Sequence, residues 1–110
     1  MAPYDISLNI ASVKTKAFQA AHGPNNAKAI SFPRNEILDI LSQPNCTGIR
    51  IYFALNDSTK PEDITVVIVG VTDSGNFQQA TDIAANGSKI KNSGNPCPPY
   101  CTVPANALIL

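Results

Sequence analysis

Residues 64–71, Ile-Thr-Val-Val-Ile-Val-Gly-Val, constrain the fold of this chain more than any other stretch. Ile64, Val66 and Ile68 alternate onto one face of a strand, and Val67, Val69 and Val71 onto the other. A strand without a polar face is a central strand, covered on both sides by its own chain or by another one. Just upstream, Gly48-Ile49-Arg50-Ile51-Tyr52-Phe53-Ala54-Leu55 forms a second β-rich run. The polar loop at 56–63 then joins the two as an antiparallel hairpin. In the first run Ile49, Ile51, Phe53 and Leu55 share one face, while Arg50, Tyr52 and Ala54 share the other.

Around this hairpin the pattern predicts a helix over 6–22, with Ile6, Ile10, Val13, Ala17 and Ala21 at helical spacing and Asp5 or Ser7 as its cap. Gly23-Pro24 stops it, and 27–32 suits a short strand. A second helix is expected over 33–42, with Pro33 in its first turn, Glu36 near its positive end and a stripe of Ile37, Leu38, Ile40 and Leu41. That stripe should lie on Ile49, Ile51, Phe53, Val66 and Ile68. Residues 72–76 read as a tight turn, a third strand is expected from Phe77, and Lys89-Ile90-Lys91 reads as an edge strand. The expected fold is α+β: a small antiparallel sheet of three to four strands with two helices packed mainly on one face. Residues 1–91 form a single domain. Residues 92–110 form a Pro- and Cys-rich tail, irregular in structure, that docks on the domain or on a partner through Tyr100, Val103, Leu108 and Ile109.

With 110 residues there is room for one domain. Eight acidic and eight basic residues leave a formal net charge of zero, so no field draws in a phosphate backbone, and nucleic-acid binding is disfavoured. The longest apolar run is far short of the ~20 residues a membrane-spanning helix needs. Met1-Ala2-Pro3-Tyr4-Asp5 carries no cationic n-region, so the expected compartment is the cytoplasm, with unconventional export left open.

Chemistry concentrates in Cys97-Pro98-Pro99-Tyr100-Cys101, for which three readings compete. A Cys97–Cys101 disulfide needs Cα atoms about 4.4–6.8 Å apart, whereas five residues of polyproline II span roughly 12 Å. The chain would have to fold back at Pro99-Tyr100, with a cis peptide before a proline as one means. Alternatively, Cys46, Cys97, Cys101 and His22 supply the donor types of a Cys₃His zinc site, although His22 and Cys46 are remote in sequence. In the third reading these are small buried thiols, and His22 is a helix-end residue. A nucleophilic Cys46 lacks an evident base. Arg50 admits two roles: its stem packs on the sheet while its head pairs with a loop carboxylate, or it anchors an interface together with Tyr52. Asp57, Glu62, Asp63, Asp73 and Asp82 match no calcium-loop spacing and suit turns.

Several pieces together resemble a family of small Bacteroidota proteins. They are the Phe-Pro-led helix ending in Asn45-Cys46, then Gly48-Ile49-Arg50-Ile51-Tyr52, then Ile68-Val69-Gly70-Val71 with Asp73 and Gly75-Asn76, and finally Cys97-Pro98-Pro99-Tyr100-Cys101. The resemblance covers residues 32–101 and leaves out the segment up to Ile30. It implies no activity, substrate or cofactor.

No catalytic or cofactor motif accompanies these features. The expectation is therefore a non-enzymatic structural or interaction protein, without cofactor. Its partner is itself, as an oligomer or filament, or an unidentified protein. Arg50, Tyr52, Val67, Val69, Tyr100, Leu108 and Ile109 are its expected interface residues. The alternative is a cysteine-dependent module, a thiol redox protein or a small zinc domain, built on the 97–101 segment.

Overall fold

Ser7 opens the first helix, because its hydroxyl accepts the otherwise orphaned N–H of Ile10 at 3.2 Å. The computed structural model describes residues 4–23 and 26–109. Helix α1 (Leu8–His22) ends where Gly23 takes φ +79° and returns its N–H to the Gln19 carbonyl at 3.0 Å. Of the two expected caps Ser7 serves, and Ile6 falls outside the helix. The expected short strand is β1 (Ala29–Ser31). Helix α2 (Arg34–Leu41) follows Pro33, which is its N-cap, with Glu36 in the first turn.

The hairpin forms as read. Strand β2 (Gly48–Leu55) pairs antiparallel with β3 (Ile64–Thr72), from Gly48 opposite Val71 to Leu55 opposite Ile64. On its other edge β3 pairs with β4 (Thr81–Ile83) over residues 70–72, at its C-terminal end, and with β5 (Ile90–Asn92) over residues 67–69, at its middle. The valine-rich strand is thus central, and β5 is the edge strand expected around Lys91. The fold is α+β; α2 packs on the face that carries Ile49, Ile51 and Ile68, and Phe18 of α1 borders the same face.

Four expectations are corrected. The third strand does not begin at Phe77: Phe77–Gln79 is a 3-10 turn in which the Asn76 side chain accepts the Gln78 N–H at 3.1 Å, and the strand starts at Thr81. The Phe77 ring instead closes over Gly48, where a Cβ would stand 2.8 Å from the ring edge. The tail is not wholly irregular either, since β6 (Asn95–Cys97) pairs antiparallel with β1 in a separate two-stranded sheet. Gly94 makes that approach feasible, because a Cβ there would lie 2.5 Å from the Ser31 carbonyl oxygen.

The third correction concerns α2. Of its stripe Ile37, Leu38, Ile40 and Leu41, Ile40 alone is fully buried, and Leu38 and Leu41 are exposed. Eight helical residues extend ~12 Å at ~1.5 Å each, against ~26 Å for an eight-residue strand at ~3.3 Å, so α2 cannot roof the hairpin. It sits at the Gly70 end, where a Cβ on Gly70 would meet Cys46 Sγ at 2.8 Å, Gln43 Nε2 at 3.1 Å and Ile40 Cγ2 at 3.3 Å. Lys91 fastens it to β5 by ion pairs with Asp39 at 2.8 Å and Glu36 at 2.9 Å.

The fourth concerns the two sheet faces. Val69 and Val71, on the face expected to need cover, are buried within the chain itself. The face carrying Ile51 and Phe53, expected to lie under α2, is the open one.

Candidate functional site: an open apolar groove

Along β2 and β3 the side chains Ile49, Ile51, Phe53, Val66 and Ile68 point to one face, because antiparallel partners opposite one another share a face and residues two apart repeat it. Beyond the end of α2 these side chains floor a groove of about 900 Å³. Its walls come from Phe18 of α1, from Ile30 and Phe32 in and beside β1, and from Ile37 of α2. Lys28 is the one charged residue of its lining. Phe53 lies open at 86 % exposure and Ile51 at 49 %. A groove of this chemistry takes hydrocarbon and offers little to orient a polar substrate.

The molecule as a whole is under-covered. Its radius of gyration is 15.6 Å, against ~13 Å for a compact chain of this length. Its accessible area is 7776 Å², about 1,900 Å² above the ~5,800 Å² that folded monomers of 11.6 kDa expose. That excess is counted over the whole surface, and the groove is where exposed hydrophobic side chains gather, as at an interaction site.

The opposite face is closed by polar ties. Asp82 of β4 accepts hydrogen bonds from Arg50 Nη1 and from the Tyr52 hydroxyl, and Arg50 Nη2 donates to the Ala80 carbonyl at 3.1 Å. These ties cross β3 beside Val69 and Val71. Arg50 therefore takes the carboxylate-paired role, with a partner on a strand rather than a loop. Tyr52 stays partly exposed, Val67 is half-buried, and Val69 is buried and presents no surface.

In the tail, Leu108 and Ile109 are half-buried, and the Leu108 carbonyl accepts from Gln19 Nε2 at 2.8 Å. Tyr100 and Val103 stand in solvent, so only two of the four expected docking side chains pack.

Cys97 and Cys101 form a disulfide with Cα atoms 4.6 Å apart, and the Cys97–Pro98 and Pro98–Pro99 bonds are cis. Cys46 is free and half-buried, its Sγ 3.2 Å from the Gly48 carbonyl oxygen. The His22 ring lies 4.2 Å from that of Phe18. The four candidate zinc donors are not brought together: among the described residues no group of three or more His, Cys, Asp or Glu side chains converges. Asp57 does turn work, accepting from the hydroxyl and N–H of Thr59, which hold its carboxyl below the usual range. No described helix is long and apolar enough to cross a membrane.

Sequence reasoning missed Asp82 and Gln19 as partners and Phe18, Ile30 and Phe32 as groove walls. The sequence does carry a signal for the groove itself: a helix over 33–42 is too short to cover two strands of eight residues each.

The fold and groove define a class, an α+β domain with one unroofed apolar sheet face. No family model, curated protein or solved structure matches the chain, so its function is read from this geometry alone.

Proposed function

We propose that this protein is a non-enzymatic association module that binds copies of itself through its unroofed sheet face. The observation that carries the reading is the Phe53 groove: hydrophobic side chains on a hairpin floor, open to water, in a chain with about 1,900 Å² of excess surface. Zero formal charge removes the long-range repulsion that would keep copies apart. Light scattering on purified protein across micromolar concentrations tests it. A mass above 11.6 kDa that rises with concentration is expected. A strict monomer throughout removes the proposal.

The Cys97–Cys101 bridge favours a second reading, thiol–disulfide exchange at the 97–101 loop. Exchange needs an accessible sulfur, and Cys97 is buried, so attack would fall on Cys101. A disulfide of this kind also suits an oxidising compartment better than the cytoplasm.

A further inference from the structure

Helix α1 is turned inside out for a monomer. At ~100° per residue, Ile10, Val13 and Ala17 fall within one narrow sector of its circumference, with Ala20 and Ala21 flanking them and Lys14 at its border. The opposite sector holds Ser12, Thr15 and Gln19, with Leu8 among them in the exposed first turn. Gln19 is buried and bonded to the Leu108 carbonyl at 2.8 Å, and Ser12 and Thr15 are half-buried. The apolar sector faces solvent, with Ile10 51 % and Val13 69 % exposed. An amphipathic surface helix does the reverse.

Resting on the self-association reading above, we propose that the apolar stripe of α1 in one copy seats in the Phe53 groove of a second copy. The stripe and the groove are two different surfaces of the same chain, both hydrocarbon and both uncovered. Their lengths agree, since fifteen helical residues run ~22 Å and the eight residues of β2 run ~26 Å. A stable interface takes ~800 Å² from each partner, so a chain that contributes a helix to one contact and a groove to another covers ~1,600 Å². The excess of about 1,900 Å², counted over the whole surface, leaves room for two such contacts. The chain's own α1 is the poorer occupant, because turning its stripe inward would break the Gln19–Leu108 contact and expose the buried amide. Helix and groove are different surfaces, so two copies either exchange them reciprocally about a two-fold axis or join head to tail as a ring or a filament.

The test pairs two exposed positions, Val13→Glu on the stripe and Phe53→Glu in the groove, with folding checked by circular dichroism and mass by light scattering. Each variant alone is expected to associate at least roughly 100-fold more weakly than the natural chain, because the contact would bury an unpaired carboxylate. Mixed, they are expected to pair one to one, since one retains a good groove and the other a good helix. If the natural chain associates but either variant still does so normally, or the mixture fails to pair, the helix-in-groove contact is wrong while self-association stands. If the natural chain is monomeric, both readings fall, whether the groove holds its own helix or an unrelated apolar ligand. Should a variant not fold, Val13→Cys and Phe53→Cys chains, each in a Cys46→Ala background, are mixed and oxidised. A covalent dimer between the two supports the contact, and its absence at concentrations where the natural chain associates overturns it.

Discussion

Gly70→Ala probes the one place where helix and sheet meet tightly. The new methyl group would stand 2.8 Å from Cys46 Sγ, 3.1 Å from Gln43 Nε2 and 3.3 Å from Ile40 Cγ2. Cys46 and Ile40 are the hard neighbours, the first held on the bend into β2 and the second fully buried on α2. Overpacking of this kind costs about 1–3 kcal/mol. A side chain in a strand in place of glycine returns up to ~1 kcal/mol, so the expected net loss is ~1–2 kcal/mol. Cys46→Ala removes the closest atom. The double variant should therefore recover about 1 kcal/mol relative to the sum of the two single changes, a coupling within the range for residues in contact. Urea denaturation followed by circular dichroism, at one fixed protein concentration, reads all four chains with an unchanged m-value. If Gly70→Ala is as stable as the natural chain, or if the two changes simply add, α2 does not bear on β3 in the way described.

Two further outcomes follow from the charge pairs and the disulfide. The Asp39 carboxyl lies below its ordinary value of 3.8, first because it accepts a hydrogen bond from Lys91 and also through the lysine's charge. Its depressed value means that the contribution is present above pH 3.8 and lost as pH falls through the lower folded value. Lys91→Met should accordingly flatten the stability profile of the chain below pH 4 and change its shape little between pH 5 and 8, read by denaturation midpoints. Replacing Cys97 and Cys101 together by Ser opens a five-residue loop and should cost roughly 2 kcal/mol on a chain-entropy basis. Self-association is expected to survive this double replacement, read by light scattering, and its loss in a folded chain counts against the groove.

What the sequence made legible was what local rules decide. The hairpin and the central place of β3 follow from period-two hydrophobicity, the end of α1 from Gly23, and the turn at 72–76 from its polar residues and Gly75, which takes a positive φ of 95°. What stayed hidden was decided by distance along the chain. The partner of Arg50 lies thirty-two residues away at Asp82, and that of Gln19 eighty-nine residues away at Leu108. Neither pattern nor spacing marks them. The rule that apolar stripes face inward misplaced α1, whose stripe faces water, and misread α2 because a periodic stripe says nothing of whether a helix is long enough to roof its sheet. The open groove is thus the product of one helix too short to roof the hairpin and another whose apolar stripe turns away from it, which together leave Ile51 and Phe53 of β2 uncovered.

The flat outline of the molecule, 39 by 39 by 24 Å, bears on how its mass must be measured. A plate suffers more friction than a sphere of the same weight. It leaves a gel-filtration column early, as though heavier, and sediments slowly, as though lighter. The two methods will therefore err in opposite directions on a single copy, and only a reading of mass itself separates a broad particle from a pair.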